Sequence, residues 1–109
     1  MTAALFIAQR ATAVVLAFAV TIHLATIVYA ARGGLTAAEI LARTRGNGWF
    51  LALYLVFVAA VAIHAPIGLR TIVREWSAWR GRSLDLAVAG FGALLLAMGM
   101  GAALVLFLA

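Results

Sequence analysis

The sequence predicts an all-α membrane protein: three transmembrane helices in a bundle, with a short amphipathic helix in the first loop. Three observations carry that expectation. Of the 109 residues, 68% are hydrophobic and only 10% are charged, whereas a soluble domain is about half apolar and roughly a quarter charged. The mean hydropathy is +1.19. The apolar residues gather into three runs, at about 5–31, 48–69 and 86–108, each long enough to cross a ~30 Å hydrocarbon core, which takes ~20 residues. Residues 1–109 read as a single membrane-anchor domain with helices at about 5–31, 48–76 and 84–108. There is no repeat, low-complexity linker or second domain.

The first run begins near the N-terminus, as a signal peptide would. Arg10 lies inside it, however, and the apolar stretch that follows exceeds an h-region of about 7–15 residues. No small-x-small cleavage pattern follows a basic start, so the segment reads as a retained helix. Arg32-Gly33-Gly34 ends it with the glycine stop expected past a C-cap. Thr36-Ala37-Ala38-Glu39 is a capping-box pattern that opens the short amphipathic helix, which runs to about Arg43. Asn47-Gly48 makes a turn and a cap for the second spanning helix, with Trp49 and Phe50 placed as interfacial anchors. That helix continues to about Trp76 and projects past the bilayer. Pro66 within it removes one backbone hydrogen bond and predicts a modest kink. Trp76, Trp79, Arg80 and Arg82 give the second loop an aromatic and basic character suited to headgroups or a docked subunit. In the third helix, Ala89, Ala93, Ala97 and Gly101 recur at four-residue spacing, a small-residue stripe that predicts a helix–helix packing face.

The net charge is +5, and all eight basic residues are arginines. They flank the apolar runs, so topology and anionic lipid explain them better than nucleic acid does. Arg10, Arg70, Arg74, Arg80 and Arg82 fall on one side of a three-helix layout, and Arg32, Arg43 and Arg45 fall on the other. That bias predicts a multi-pass protein of the bacterial inner (cytoplasmic) membrane with a cytoplasmic N-terminus and a periplasmic C-terminus. The chain has no cysteine, which excludes disulfides, iron–sulfur ligation and thiol catalysis. Glu39, Glu75 and Asp85 all fall in loops or at helix ends. This argues against a proton-coupled multidrug exporter, which needs an intramembrane carboxylate. No paired carboxylates, nucleophile–base pair or phosphate loop occurs, so the chain is not an enzyme on its own.

Both histidines, His23 and His64, lie inside spanning helices, where ionisable groups are costly and mark function by default. One turn beyond His64, Gly68 removes a side chain from the same face, so a bulky group can approach the backbone. Arg70 then places a positive charge near the membrane edge. This spacing fits a haem whose iron takes the imidazole and whose propionates reach the arginine. The alternative is an imidazole bonded to a neighbouring helix or lining a water pocket. His23 has Leu16, Ala19 and Thr12 on its face towards the cytoplasm and Thr26 and Ile27 on the other side. A threonine near the imidazole can orient it as a metal ligand is oriented, and a histidine hydrogen-bonded inside the bundle is the competing reading. Measured by helical rise from Arg70 and Arg10, the two imidazoles differ in depth by about 10 Å. Opposite ligands of one upright haem are nearly level, so a shared haem is the poorer arrangement.

The segment Gln9-Arg10-Ala11-Thr12-Ala13-Val14-Val15-Leu16 and the segment His64-Ala65-Pro66-Ile67-Gly68-Leu69-Arg70, closed by Glu75-Trp76, resemble the small membrane-anchor subunits of succinate dehydrogenase (succinate:quinone oxidoreductase, complex II). The likeness covers the first two spanning helices; the third is generic. It implies a haem b-binding anchor that docks a flavoprotein and an iron–sulfur subunit and passes electrons to quinone in the tricarboxylic acid cycle. His64 would be the haem axial ligand, with Gly68 beside the ring and Arg70 at a propionate or the quinone pocket. Arg10, with Thr12 as the hydroxyl residue that follows it, matches the arginine near the quinone. Trp76 stands where many small anchors carry a tyrosine that hydrogen-bonds a quinone carbonyl, and an indole N–H donates likewise. Phe6 stands where larger anchors have a serine, so a partner chain would complete the quinone site. In dihaem relatives one ligand comes from the first helix and one from the second, which would make His23 the ligand of a second haem. A second membrane-anchor chain would then supply the other ligand of each. Two other readings stay open: a cytochrome b anchor of a fumarate reductase or other dehydrogenase, and a haem-free structural or assembly protein in which both histidines only pack.

Overall fold

The turn and cap residues of the sequence divide the chain into four helices. The computed structural model describes residues 2–109, with α1 at Ala3–Gly33, α2 at Ala37–Thr44, α3 at Gly48–Trp76 and α4 at Arg82–Leu108. There is no strand among the described residues. Helices α1, α3 and α4 are each long and apolar enough to cross a membrane, and α2 lies in the first loop. The first and third spanning helices each begin two residues earlier than their sequence patterns indicate, at the Thr2 cap for α1 and just after Gly81 for α4.

Each boundary has a local cause. The Thr2 hydroxyl accepts from the Leu5 N–H at 3.2 Å to start α1. Gly34 ends it at φ 123°, with its N–H on the Ala30 carbonyl at 2.8 Å. A side chain at Gly34 would collide with the Glu39 carboxylate, which folds back beneath it. That carboxylate accepts from the Thr36 N–H at 3.0 Å, while the Thr36 hydroxyl accepts from the Glu39 N–H at 3.2 Å. Both arms of the capping box are therefore made, and the hydrogen bonds from Thr36 hold the Glu39 carboxyl below its ordinary pKa. Arg43 then donates to the Gly34 carbonyl at 2.6 Å, tying α2 to the end of α1. Asn47 caps α3 by accepting from the N–H groups of Trp49 and Phe50. Gly81, at φ 91°, precedes α4 without a side-chain cap, and Asp85 places a negative charge in its first turn, where the helix dipole favours one.

Helix α3 is central: α1 and α4 both pack mainly on α3, and the Gly46 N–H beyond α2 caps the far end of α4 at the Phe107 carbonyl, 2.9 Å away. The molecule is 49 Å long and about half as wide, ample for a ~30 Å core. Only 11% of the most apolar window of each spanning helix is buried within the chain, so lipid or other chains must cover the rest.

The α3–α4 contact corrects the expected packing face. Ala89, Ala93, Ala97 and Gly101 are all exposed, and the inward face of α4 is instead Leu84, Val88, Gly92 and Ala103. A methyl group at Gly92 would lie 2.8 Å from the Pro66 ring and 2.9 Å from the Ala62 carbonyl oxygen. Pro66 has no N–H to give that carbonyl, and glycine lets the α4 backbone close over both. Seven residues on, a methyl group at Gly99 would lie 2.6 Å from Val58. A helix apolar on every side offers several small-residue stripes. Shape against Pro66 and Val58 selects among them. Helix α3 runs through Pro66 without interruption.

Candidate functional site

Helices α1 and α3 run antiparallel, and three polar points mark their register. Thr12 faces His64, Gln9 faces Gly68, and His23 faces Tyr54. The sequence carries few polar residues inside its spans, and between these two helices they are spent in pairs.

At the first point His64 Nδ1 lies 3.2 Å from the Thr12 hydroxyl. Thr12 is buried, and its oxygen also lies 2.7 Å from the Ala8 carbonyl and 3.2 Å from that of Gln9. His64 Nε2 has no hydrogen-bond partner among the described residues. The reading that set Thr12 beside His23 is thereby corrected: the two are three turns apart on one helix, about 16 Å along its axis. The threonine instead holds the other histidine.

Gly68 faces α1, and a methyl group there would lie 3.3 Å from the Gln9 amide nitrogen. The space left by the glycine is thus occupied by the Gln9 carboxamide, whose oxygen is buried with no partner among the described residues. Arg70 turns the other way, its Nε donating to the Asp85 carboxylate at 2.7 Å. This ion pair joins the end of α3 to the first turn of α4. Arg70 also lines an open cleft of about 270 Å³ with Thr71, Arg74, Glu75 and Arg80. Arg10 is exposed, its guanidinium 5.2 Å from the centre of the Phe6 ring. Trp76 is 85% exposed, whereas the Trp79 indole N–H is committed to Ser83 at 2.8 Å. By the α1–α3 register, Arg10 and Trp76 stand at levels about 14 Å apart. The chain does not bring them to one point by itself.

His23 Nδ1 lies 2.6 Å from the Tyr54 hydroxyl. The rings of Tyr54 and Phe57 each meet the imidazole edge to face at 5.5 Å. Its partner comes from α3, not from Thr26 on its own helix, whose hydroxyl is bonded to the Ile22 carbonyl at 2.8 Å. Ten residues separate Tyr54 from His64 on α3, so the two imidazoles differ in depth by about 15 Å. The estimate made from the arginines is smaller because Arg10 lies deeper than Arg70 by roughly one turn, about 5 Å. No three His, Asp or Glu side chains gather around one point among the described residues. An iron at either level would take one ligand from this chain, which is what an axially ligated haem shared with another helix requires.

Tyr54, Gln9 and Asp85 are the site residues that sequence reasoning missed. An antiparallel register built on either histidine contact pairs positions whose numbers sum to about 76 or 77. That relation points from His23 to Tyr54 and from Gly68 to Gln9.

The family model for the succinate dehydrogenase/fumarate reductase transmembrane subunit matches residues 1–108. No curated protein and no solved structure matches the chain. The chain belongs to the succinate dehydrogenase/fumarate reductase transmembrane-subunit family, and it is a multi-pass membrane subunit of such a complex.

Proposed function

We propose that this family member is the haem b-binding anchor of a succinate:quinone oxidoreductase, docking the flavoprotein and iron–sulfur subunits and helping pass electrons to quinone. The carrying observation is the setting of His64: an imidazole within a membrane span, fastened through Nδ1 to Thr12 at 3.2 Å, with Nε2 uncommitted. A histidine that only packs has use for both nitrogens, since an unpaired polar atom in hydrocarbon is costly. A ligand is held by one nitrogen and offers the other. The donor chemistry therefore fits a haem b, with His64 as axial ligand and a second anchor chain supplying the opposite one.

Haem, when bound, supplies a one-electron carrier beside the quinone site. The residues of this chain do the rest. His64 holds the iron side. Arg70, 20% exposed and paired with Asp85, brings guanidinium charge to the arginine-rich end, where a propionate or quinone oxygen would accept from its remaining N–H groups. Arg10 and the free indole N–H of Trp76 are further donors at that end. Five of the eight arginines lie there, which supports a cytoplasmic location for the N-terminus and the second loop in a bacterial inner membrane. The same surface suits docking of the soluble subunits.

The test is purification of the complex through a tag on this chain. The expected preparation carries a flavoprotein and an iron–sulfur subunit, reduces quinone with succinate, and has the Soret and α bands of a b haem. A preparation with partners but no such bands would favour the haem-free reading. Fumarate reduction in preference to succinate oxidation would favour the fumarate reductase reading.

A further inference from the structure

We infer that Thr12 is a positioning residue for His64, taking the Nδ1–H of the imidazole and thereby holding the Nε2 lone pair free for iron. This rests on the proposed ligation of haem by His64. The argument is a count of protons. A threonine hydroxyl has one hydrogen to give and lone pairs to accept with. Its nearest neighbour is the Ala8 carbonyl at 2.7 Å, four residues back along the same helix, and a carbonyl can only accept. The short contact claims the hydroxyl hydrogen in the back-bonded arrangement common for threonine in helices. Towards His64, at 3.2 Å, the same oxygen is left with lone pairs alone, so the imidazole must donate. Nδ1 then carries the proton of the neutral ring and Nε2 carries the lone pair. Were the hydroxyl unbonded to Ala8, it could donate to Nδ1 and place the proton on Nε2, the tautomer that cannot ligate through Nε2.

Burial makes the arrangement selective. Thr12 is 8% exposed, so water offers its hydroxyl no substitute. With its hydrogen spent on Ala8, the Thr12 hydroxyl has none left to donate to a quinone carbonyl. An acceptor on the far nitrogen also makes an imidazole a more basic ligand, which favours ferric over ferrous iron.

The experiment compares Thr12→Val, Thr12→Ala and Thr12→Ser in the intact, solubilised complex. Haem loss to excess apo-myoglobin and the haem reduction midpoint are the readouts. Valine, of equal shape without the acceptor, is expected to weaken haem retention by about tenfold or more, as loss of an outer-shell partner does, and to raise the midpoint. Serine restores both values. Wild-type retention and midpoint in the valine complex would overturn the inference. If that variant does not assemble, the alanine and serine complexes decide, and equal behaviour of the two overturns it. Haem persisting in His64→Ala would sink the ligation reading itself. Loss there alongside an unaltered Thr12→Val would sink only the role of Thr12.

Discussion

His64 and Arg70 sit six residues apart on α3 and have opposite surroundings. His64 has one partner, the Thr12 oxygen, and its replacement by alanine is expected to abolish the reduced α band of the complex, since no other imidazole is level with it. An unchanged spectrum would remove it as ligand. Arg70 shares its charge with Asp85, whose side chain is 54% exposed. An ion pair so open to solvent contributes about 0–1 kcal/mol, so Arg70→Gln should leave assembly intact. Its expected effect, like that of Arg10→Gln, is on quinone reduction, with succinate oxidation by an artificial dye preserved. Equal loss of both activities would mean failed assembly and would end the quinone role. Trp76→Ala should follow the same pattern through its free indole N–H.

At the scale of the element, two contacts govern how the helices meet. Gly92 closes on the Pro66 ring and on the Ala62 carbonyl that proline leaves without its helical partner. Neither is a flexible side chain that can swing aside. Gly92→Ala is therefore expected to part α4 from α3, with an overpacking cost of about 1–3 kcal/mol, read as a lower melting temperature in detergent. Gly68→Ala meets only the end of the Gln9 side chain and should be nearly neutral. Gly68→Leu would lever α1 away and loosen the hold of Thr12 on His64, with loss of haem as the measurable result. Outside the membrane, α2 depends on an ionised Glu39. Its carboxyl is held below the ordinary value by the Thr36 hydrogen bonds, so its contribution is complete above that ordinary value and is lost as pH falls through the lowered one. Protection of the Thr36 amide from hydrogen exchange should fall over that acid range in the native chain. In Glu39→Gln the protection should not vary with pH, and a persisting acid transition would assign it to another group.

For the whole molecule, the depth of the two imidazoles is decisive. About 15 Å of helical rise separates them, so this chain cannot give both axial ligands to one upright haem. If His64 ligates the proposed haem, either a second would sit at the level of His23, or His23 serves the bundle through Tyr54. Its short hydrogen bond to Tyr54 and the two edge-to-face rings supply a structural use for this histidine, while its Nε2, like that of His64, has no partner among the described residues. A redox titration distinguishes the two arrangements. Two separable b-haem midpoints, one of them lost in His23→Ala, would make it a ligand. A single midpoint unaffected by His23→Ala would make it a packed polar residue, and Tyr54→Phe should then lower thermal stability by about 1 kcal/mol, the worth of one hydrogen bond.

How much was legible follows from where polarity contrast exists. Caps, turns and spans depend on local chemistry: Thr36 and Glu39, Asn47, Gly34 and the apolar runs each declare a boundary, and the helices begin and end within two residues of those marks. His64 was equally conspicuous in the sequence, because an imidazole stands out against hydrocarbon. What faces what was not. On α4 every side is apolar, so hydropathy could not tell the exposed Ala89–Ala93–Ala97–Gly101 stripe from the buried face through Gly92, and fit against Pro66 made the choice. Thr12 could be read beside His23 because both lie on α1, but only the antiparallel register of α1 on α3 brings it to His64. The sequence by itself determined that three helices cross the membrane and which few polar residues they carry inside. Tertiary structure alone decided their pairing, since a hydrogen bond between helices depends on the rotation and depth of both, and neither is written in either helix alone.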